Sequence, residues 1–241
     1  QGDWSSDVCS SDLTGDVMSS IRNIFIGLVL SIFSASAIAE EEICAPFKDG
    51  VVDGSVVSKM LSAANDGHLY RINPASSKIG FCIDSPVGLI EGEFKDFTGG
   101  LTFLQENAST DEQALVMVNT ASLETDGSFI EGLLKGRKFF DVENYPEILF
   151  VSTGFKWVSE TEAVLMGDLT MHGVTKAVGF HVELIEQPAD DEPGSLEQEQ
   201  RILVRATTRI LRSEFGLTAL SPMVGNSVNL CMSVDAVKYS T

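Results

Sequence analysis

The chain has 241 residues, which is long enough for one large domain or two small ones. Apolar residues make up 44% and charged residues 21%, so the chain can bury a core and wholesale disorder is not expected. Asp and Glu outnumber Lys and Arg by 35 to 16, which argues against binding of nucleic acid or electrostatic capture by anionic lipid. With only three His and four Cys, there is little material for a metal site or a His-based triad. The composition therefore favours an acidic binding domain.

Residues 18–39 have the pattern of a secretory signal peptide. Met18 begins the segment, Arg22 supplies the positive charge, and residues 24–33 form an apolar stretch. That stretch is shorter than the ~20 apolar residues that a membrane-spanning helix needs. Ala37-Ile38-Ala39 gives the small-x-small cleavage pattern. We therefore expect export to the periplasm and cleavage after Ala39.

Residues 1–17 precede this signal and contain a near-repeat, Ser-Ser-Asp-Val followed by Ser-Ser-Asp-Leu. We interpret them as a non-native leader. The mature chain then keeps three cysteines, Cys44, Cys82 and Cys231. Because the periplasm is oxidising, we expect one disulfide and one remaining thiol.

Two periodicities divide the mature chain. Apolar residues at helical spacing predict a helix over 54–65, within an N-terminal arm at residues 40–66. From Leu69 onward the period changes to two, as in Ile79, Phe81 and Ile83. Strands are predicted there and at 90–97, 100–105, 113–119, 147–157, 163–171, 174–185, 201–211 and 227–237. About eight or nine strands with short turns are typical of an antiparallel barrel or sandwich.

One helix and two turns interrupt the strand pattern. Ser128 and Glu131 have the spacing of a capping box, and the apolar face of this helix is predicted to consist of Phe129, Ile130, Leu133 and Leu134. His172-Gly173 fits a tight hairpin turn. Residues 187–194 are polar and acidic, which predicts a hairpin loop between two strands.

Four strings resemble the YceI-like family, and they occur in the family's order over residues 69–238. They are residues 70–74 (Tyr-Arg-Ile-Asn-Pro), 139–146 (Phe-Phe-Asp-Val-Glu-Asn-Tyr-Pro, followed by Phe-Val-Ser-Thr at 150–153), 167–176 (Gly-Asp-Leu-Thr-Met-His-Gly-Val-Thr-Lys) and 212–217 (Arg-Ser-Glu-Phe-Gly-Leu). Any one string is weak evidence, whereas four in order are strong evidence.

The resemblance implies an all-β fold: an antiparallel eight-stranded lipocalin-like barrel at residues 67–241, with one short inserted helix and an N-terminal helical arm. It implies a periplasmic binding protein that holds a polyisoprenoid or quinone-like lipid in an elongated apolar cavity for storage or transport. The bound lipid would take the place of a cofactor, with no metal and no reaction. The chain departs from the family pattern at Ala75-Ser76-Ser77 and Ser85, where the family usually has His, and at residues 130–134, where the family has Arg-Asp-x-His-Leu.

An eight-stranded barrel has an interior just wide enough for side chains or one slender ligand. The side chains that we expect to line such a cavity are Phe81, Ile83, Phe94, Phe97, Phe103, Phe139, Phe140, Phe150, Leu169, Phe180 and Phe215. The alternative is that these rings simply fill the core.

Lys135, Arg137 and Lys138 form the densest basic cluster of an otherwise acidic chain. At the end of the short helix, cations suit the helix dipole. The second interpretation places them at the cavity mouth as candidates for contact with a lipid headgroup or with a membrane surface.

The alternation of the strands places Cys82 and Cys231 away from the cavity. If the first and last long strands meet, these residues could form a cross-strand disulfide, because directly opposed residues lie ~4.5–5.5 Å apart between Cα atoms. Cys44 in the arm is the rival partner for either of them.

Two other functions stay open at this point. The first is an enzyme that acts on a prenyl lipid, with Asp168, His172 or Asp141 as acid or base. The second is a partner-binding module with a filled barrel, whose working surfaces would be the loop at 187–200 and the arm at 40–66.

Overall fold

The computed structural model describes residues 47–48, 51–52, 54–65, 68–86, 88–102, 113–185 and 201–239. The proposed leader and signal peptide, Cys44, Phe103 and the loop at 187–200 lie outside these residues. No helix within the described ranges is long and apolar enough to cross a membrane.

The elements follow one another in a simple order. The arm holds two short strands, β1 (Phe47–Lys48) and β2 (Val51–Val52), and the helix α1 (Gly54–Asn65), whose bounds agree with the predicted helix. The remaining elements are β3 (Leu69–Ile72), β4 (Lys78–Ser85), β5 (Gly88–Phe94), β6 (Phe97–Thr102), β7 (Ala114–Asn119), β8 (Leu123–Thr125), α2 (Ser128–Lys135), β9 (Glu147–Trp157), β10 (Glu162–Met171), β11 (Val174–Leu184), β12 (Arg201–Leu211) and β13 (Ser227–Lys238).

These strands form a closed antiparallel barrel of eight long strands, which confirms the predicted fold class. Three of the long strands are bent, so that β3 with β4, β5 with β6, and β7 with β8 each form one wall strand. The barrel closes because β13 pairs with β12 along one edge and with β3 and β4 along the other. Closure removes the exposed sheet edges that an open sheet would present.

Alternation along the strands puts apolar side chains into the interior. In β4, Ile79, Phe81 and Ile83 are all buried in one continuous core cluster. A second, smaller cluster lies outside this core, where Met60 of α1 packs against Leu149 and Val151. The arm helix therefore covers the outer face of part of the barrel.

The turn between β10 and β11 is as predicted, since His172 and Gly173 have φ values of 52° and 73°. The capping box at α2 is not formed. Gly127 is the N-cap, without a side-chain hydrogen bond to the helix. Ser128 is therefore already inside the helix, and Glu131 pairs with Lys135 one turn later, at 2.7 Å.

The predicted disulfide between Cys82 and Cys231 is wrong. The two strands do pair, but their register places Cys82 opposite Asn229 and Cys231 opposite Gly80. Cys231 is a buried thiol. Burial, with a smaller contribution from the Glu91 carboxylate, raises its pKa to about 11. The rival pairing through Cys44 involves a residue outside the described ranges and stays a prediction.

Candidate ligand-binding cavity

The interior of the barrel holds a cavity of about 420 Å³. This volume lies within the range of about 300–1,000 Å³ that is common for small-molecule sites. The wall is almost entirely apolar, and side chains from β4, β5, β7, β9, β10, β11, β12, β13 and α2 contribute to it. Ser85 and Arg212 supply the polar side chains of this wall.

Eight of the side chains expected at a ligand cavity line it: Phe81, Ile83, Phe94, Phe139, Phe140, Phe150, Leu169 and Phe180. Phe97 and Phe215 are buried in the core but do not line the cavity. Phe103 lies outside the described residues. Some of the expected rings therefore line a cavity, and others fill the core of the barrel.

Three rings from different elements form one side of the cavity. The ring centroids of Phe81 and Phe94 lie 6.1 Å apart, and Phe140 lies 5.8 Å from Phe81 and 5.7 Å from Phe94. The Phe94–Phe140 pair is edge-to-face, an arrangement that aromatic quadrupoles favour. Phe140 follows α2, so this cluster ties the helix to the barrel wall.

The helix α2 lies at the cavity through Ile130, Leu133 and Leu134. Two of these three residues stand where the family usually has charged or polar side chains. Phe129, which belongs to the predicted apolar face of this helix, borders the cavity but is 80% exposed.

The mouth of the cavity is surrounded by exposed apolar side chains. Leu220 and Met223, which border the cavity from the segment between β12 and β13, are 45% and 64% exposed. Together with Phe129 and the exposed Pro86 they form what we call the rim. Large apolar side chains are rarely left in water in a cluster without a function.

The basic cluster lies off this wall. Lys135 pairs with Glu131 at 2.7 Å, which agrees with its place in the last turn of α2. Arg137 and Lys138 are exposed, and none of the three residues lines the cavity. Their role in binding a headgroup stays a prediction.

Arg212 was not expected at the site. Its side chain lines the cavity although the residue is only 4% exposed. Its guanidinium donates to backbone carbonyls, from Nε to Gly225 at 2.7 Å, from Nη2 to Val224 at 3.0 Å, and from Nη1 to Ala219 at 2.8 Å and to Leu217. Within the described ranges, no carboxylate forms an ion pair with it. Burial lowers its pKa from the usual value.

These contacts give Arg212 two roles. Four of its five N–H donors hold the segment between β12 and β13, which carries two residues of the rim. Its guanidinium also places a positive charge beside an apolar cavity, with no carboxylate partner among the residues that the structure describes. The only signal in the sequence was its position in the string at residues 212–217.

The candidate acids and bases lie elsewhere. Asp168 alternates with the cavity residue Leu169 along β10 and does not line the cavity. Both carboxylate oxygens of Asp141 accept hydrogen bonds from Asn144 Nδ2, at 3.0 and 2.9 Å. His172 occupies the hairpin turn, with its ring centroid 4.3 Å from that of Tyr145. The described part of the chain also contains no group of three or more His, Cys, Asp or Glu residues that could hold a metal.

Comparison with known families supports the same architecture. The model of the YceI-like domain matches residues 70–236. The chain belongs to the YceI-like family. The matched range covers the eight wall strands of the barrel except for the first residue of β3 and the last two of β13, and it includes all the cavity residues described above.

Several YceI-like relatives cover most of the chain. A UPF0312 protein from Pseudomonas putida (strain GB-1) is 35% identical over 150 residues, which is 62% of this chain and 74% of the relative. Protein YceI from Salmonella arizonae is 29% identical over 185 residues, which is 77% of this chain and 90% of the relative.

Two solved structures share the fold. BcnA from Burkholderia cenocepacia aligns with a TM-score of 0.60 at 20% identity, over 69% of this chain and 99% of BcnA. A polyisoprenoid binding domain from Saccharophagus degradans, implicated in plant cell wall breakdown, aligns with a TM-score of 0.52 at 14% identity, over 70% of this chain and 98% of that domain.

Proposed function

We propose that this protein is a periplasmic carrier that holds an isoprenoid lipid, such as a polyisoprenoid or an isoprenoid quinone, inside its barrel. It stores the lipid or transfers it between membranes and carries out no reaction on it. The single observation that carries this proposal is the cavity of about 420 Å³ with its almost entirely apolar wall. The name of the Saccharophagus degradans domain, which describes polyisoprenoid binding, supports the choice of ligand class.

Apolar burial alone is sufficient to hold such a ligand. Removing apolar surface from water is favourable by ~25 cal/mol per Å², and a branched hydrocarbon tail has only apolar surface to bury. A tail also makes no demand for hydrogen bonds, which this wall could barely supply. The polar end of the lipid would lie towards the mouth, near the positive charge of Arg212.

The periplasmic location rests on the signal-peptide pattern of residues 18–39. The rim supports a transient contact with membranes, because a lipid must leave a bilayer to enter the cavity. Phe129, which is 80% exposed, and Met223, which is 64% exposed, can enter the interfacial region at little cost because they are already unburied.

The proposal is tested with mature protein stripped of lipid and a ubiquinone that carries a short isoprenoid tail. Native mass spectrometry should detect one quinone per chain. The variant Leu230→Trp, at a half-buried wall position of β13, should bind at least tenfold less because the larger ring occupies the cavity.

Val237→Trp is the matched control, since Val237 lies on the same strand, is 36% exposed and lines no part of the cavity. It should bind as the parent chain does. Equal binding by both variants, with unchanged melting temperatures, would place the ligand outside the barrel and refute the proposal.

A further inference from the structure

The barrel interior contains a second, smaller chamber of about 80 Å³. It lies towards the opposite end from the rim, among residues such as Ile72, Phe155, Leu165 and Val204. Its wall is again apolar apart from Thr102 and Gln113. Both walls are mainly apolar, so a hydrocarbon tail can be buried in either chamber.

Three side chains border both chambers: Val116, Phe150 and Met232. Val116 and Phe150 are directly opposed on β7 and β9, whereas Met232 belongs to β13. They therefore form a partition across the barrel interior, and we use that word for these three residues only.

Phe150 is held firmly in the partition. Its ring packs edge-to-face against Phe180, with centroids 5.2 Å apart. On its other side it lies over the backbone of Gly167, where a Cβ atom would come within 2.4 Å of the ring's Cζ atom. Gly167 also adjoins a bulge in the pairing of β10 with β9. The ring fits this position because residue 167 has no side chain.

We propose that the partition sets the length of the lipid tail that this protein accepts. A tail that enters at the rim ends at Phe150, so longer tails must either displace the ring or leave part of their length in water. Gly167 leaves the space that the ring of Phe150 occupies in the partition. This inference rests on the proposed function.

The test uses the mature chain, stripped of lipid, with an equimolar mixture of ubiquinones that share one headgroup and differ only in the number of isoprene units. Native mass spectrometry reports which lengths are bound. The parent chain should show a preferred length. Phe150→Ala should shift that preference upward by at least one isoprene unit, because the two chambers become continuous.

Met232→Ala opens the same partition from the opposite wall and gives an independent variant should Phe150→Ala fail to fold. Phe140→Ala is the matched control, because it removes the same ring from the main chamber alone. It should leave the preferred length unchanged.

The outcomes separate the two proposals. If the parent chain binds no quinone of any length, the proposed function fails. If it binds quinones but the partition variants keep the parent's length distribution, only the partition is refuted. The partition is also refuted if Phe140→Ala shifts the preferred length as much as Phe150→Ala does. In that case the total volume of the cavity, and not the partition, would set the tail length.

Discussion

Arg201 and Asp235 pair where β12 meets β13, with Arg201 Nε donating to Asp235 Oδ1 at 3.0 Å and Nη2 donating to Oδ2. Ser76 Oγ, in the bend between β3 and β4, donates to the same carboxylate at 2.5 Å. Asp235 is 1% exposed, so one buried carboxylate joins three wall segments at the closure of the barrel. The hydrogen bond from Arg201 is the main cause that lowers the pKa of Asp235, against the opposing effect of burial.

The Arg201–Asp235 pair should make the barrel less stable in acid. Because the pKa of Asp235 is lowered in the folded state, its stabilising contribution is present above the unfolded value of about 3.9 and is lost as the pH falls through the folded pKa. Arg201→Gln should reduce the free energy of unfolding at pH 7 by about 2 kcal/mol. Urea titrations at pH 7 and pH 3 should show the difference from the parent shrinking in acid.

Arg205→Gln is the control for that comparison. Arg205 lies on the same strand and pairs with Glu183 at 3.4 Å, but the Glu183 side chain is 48% exposed. Arg205→Gln should lower the free energy of unfolding by no more than about 0.5 kcal/mol. If the two Arg variants lose equal free energies of unfolding, burial of Asp235 does not strengthen its ion pair.

Asp168 should have the opposite dependence on pH. It is 3% exposed, and Oδ2 lacks a hydrogen-bond partner in the described part of the chain. Burial raises its pKa, so the folded state holds its proton more tightly and stability falls as the pH rises from about 4 through the folded pKa. Asp168→Asn should therefore raise the free energy of unfolding at pH 7 by about 1 kcal/mol. A loss of stability at pH 7 would contradict this assignment.

The β10–β11 turn should tolerate no side chain at Gly173. Its φ is 73°, and a Cβ atom would lie 2.8 Å from Tyr145 Cε1. Gly173→Ala should lower the free energy of unfolding by about 2 kcal/mol. Gly132→Ala in α2 meets open space and should instead stabilise the chain by up to about 1 kcal/mol. Thermal melts of both variants test this difference. Equal shifts of the melting temperature would contradict the prediction.

Replacement of Arg212 by lysine should loosen the segment at the mouth. An ammonium group cannot reach the carbonyls of Leu217, Ala219, Val224 and Gly225 together, since it lacks the planar fork of a guanidinium. Arg212→Lys should lower the free energy of unfolding by about 2 kcal/mol. It should also speed amide hydrogen exchange at residues 216–225. The control Arg209→Lys changes an exposed side chain that contacts Asn229, and it should leave exchange in that segment unaltered.

The rim should matter for uptake from a bilayer more than for binding itself. Phe129→Ser with Met223→Ser should slow quinone transfer from phospholipid vesicles at least fivefold while leaving uptake of dispersed quinone nearly unchanged. Leu89→Ser is the control, as Leu89 is 54% exposed and lies off the cavity. If the control slows transfer equally, the effect is not specific to the mouth.

The strand pattern was readable because inward and outward positions alternate along most of each strand. The predicted strands at 147–157 and 201–211 have the bounds of β9 and β12, and the two positive φ values of the β10–β11 turn follow from its His-Gly pair. Many cavity side chains could be identified for the same reason, because apolar residues on the inner face of a barrel must border either its core or its cavity.

The pairing register of neighbouring strands could not be predicted from the same alternation. A shift of two residues between β4 and β13 keeps every side chain on its own face, so alternation alone did not distinguish Cys231 opposite Cys82 from Cys231 opposite Gly80. Arg212 was missed because its role depends on carbonyls from a segment without regular structure. The partition was missed because Val116, Phe150 and Met232 are far apart in sequence and meet only when the barrel closes.

The most direct test of a lipid-carrying barrel is to identify what the exported protein contains. The chain is expressed from Met18, so that it carries the proposed signal peptide, the exported protein is purified from the periplasmic fraction, and its organic extract is examined by mass spectrometry. We predict one isoprenoid lipid per chain. A protein that carries no lipid, and that also takes up no added quinone, would contradict the carrier function and favour a filled barrel that acts by binding a partner.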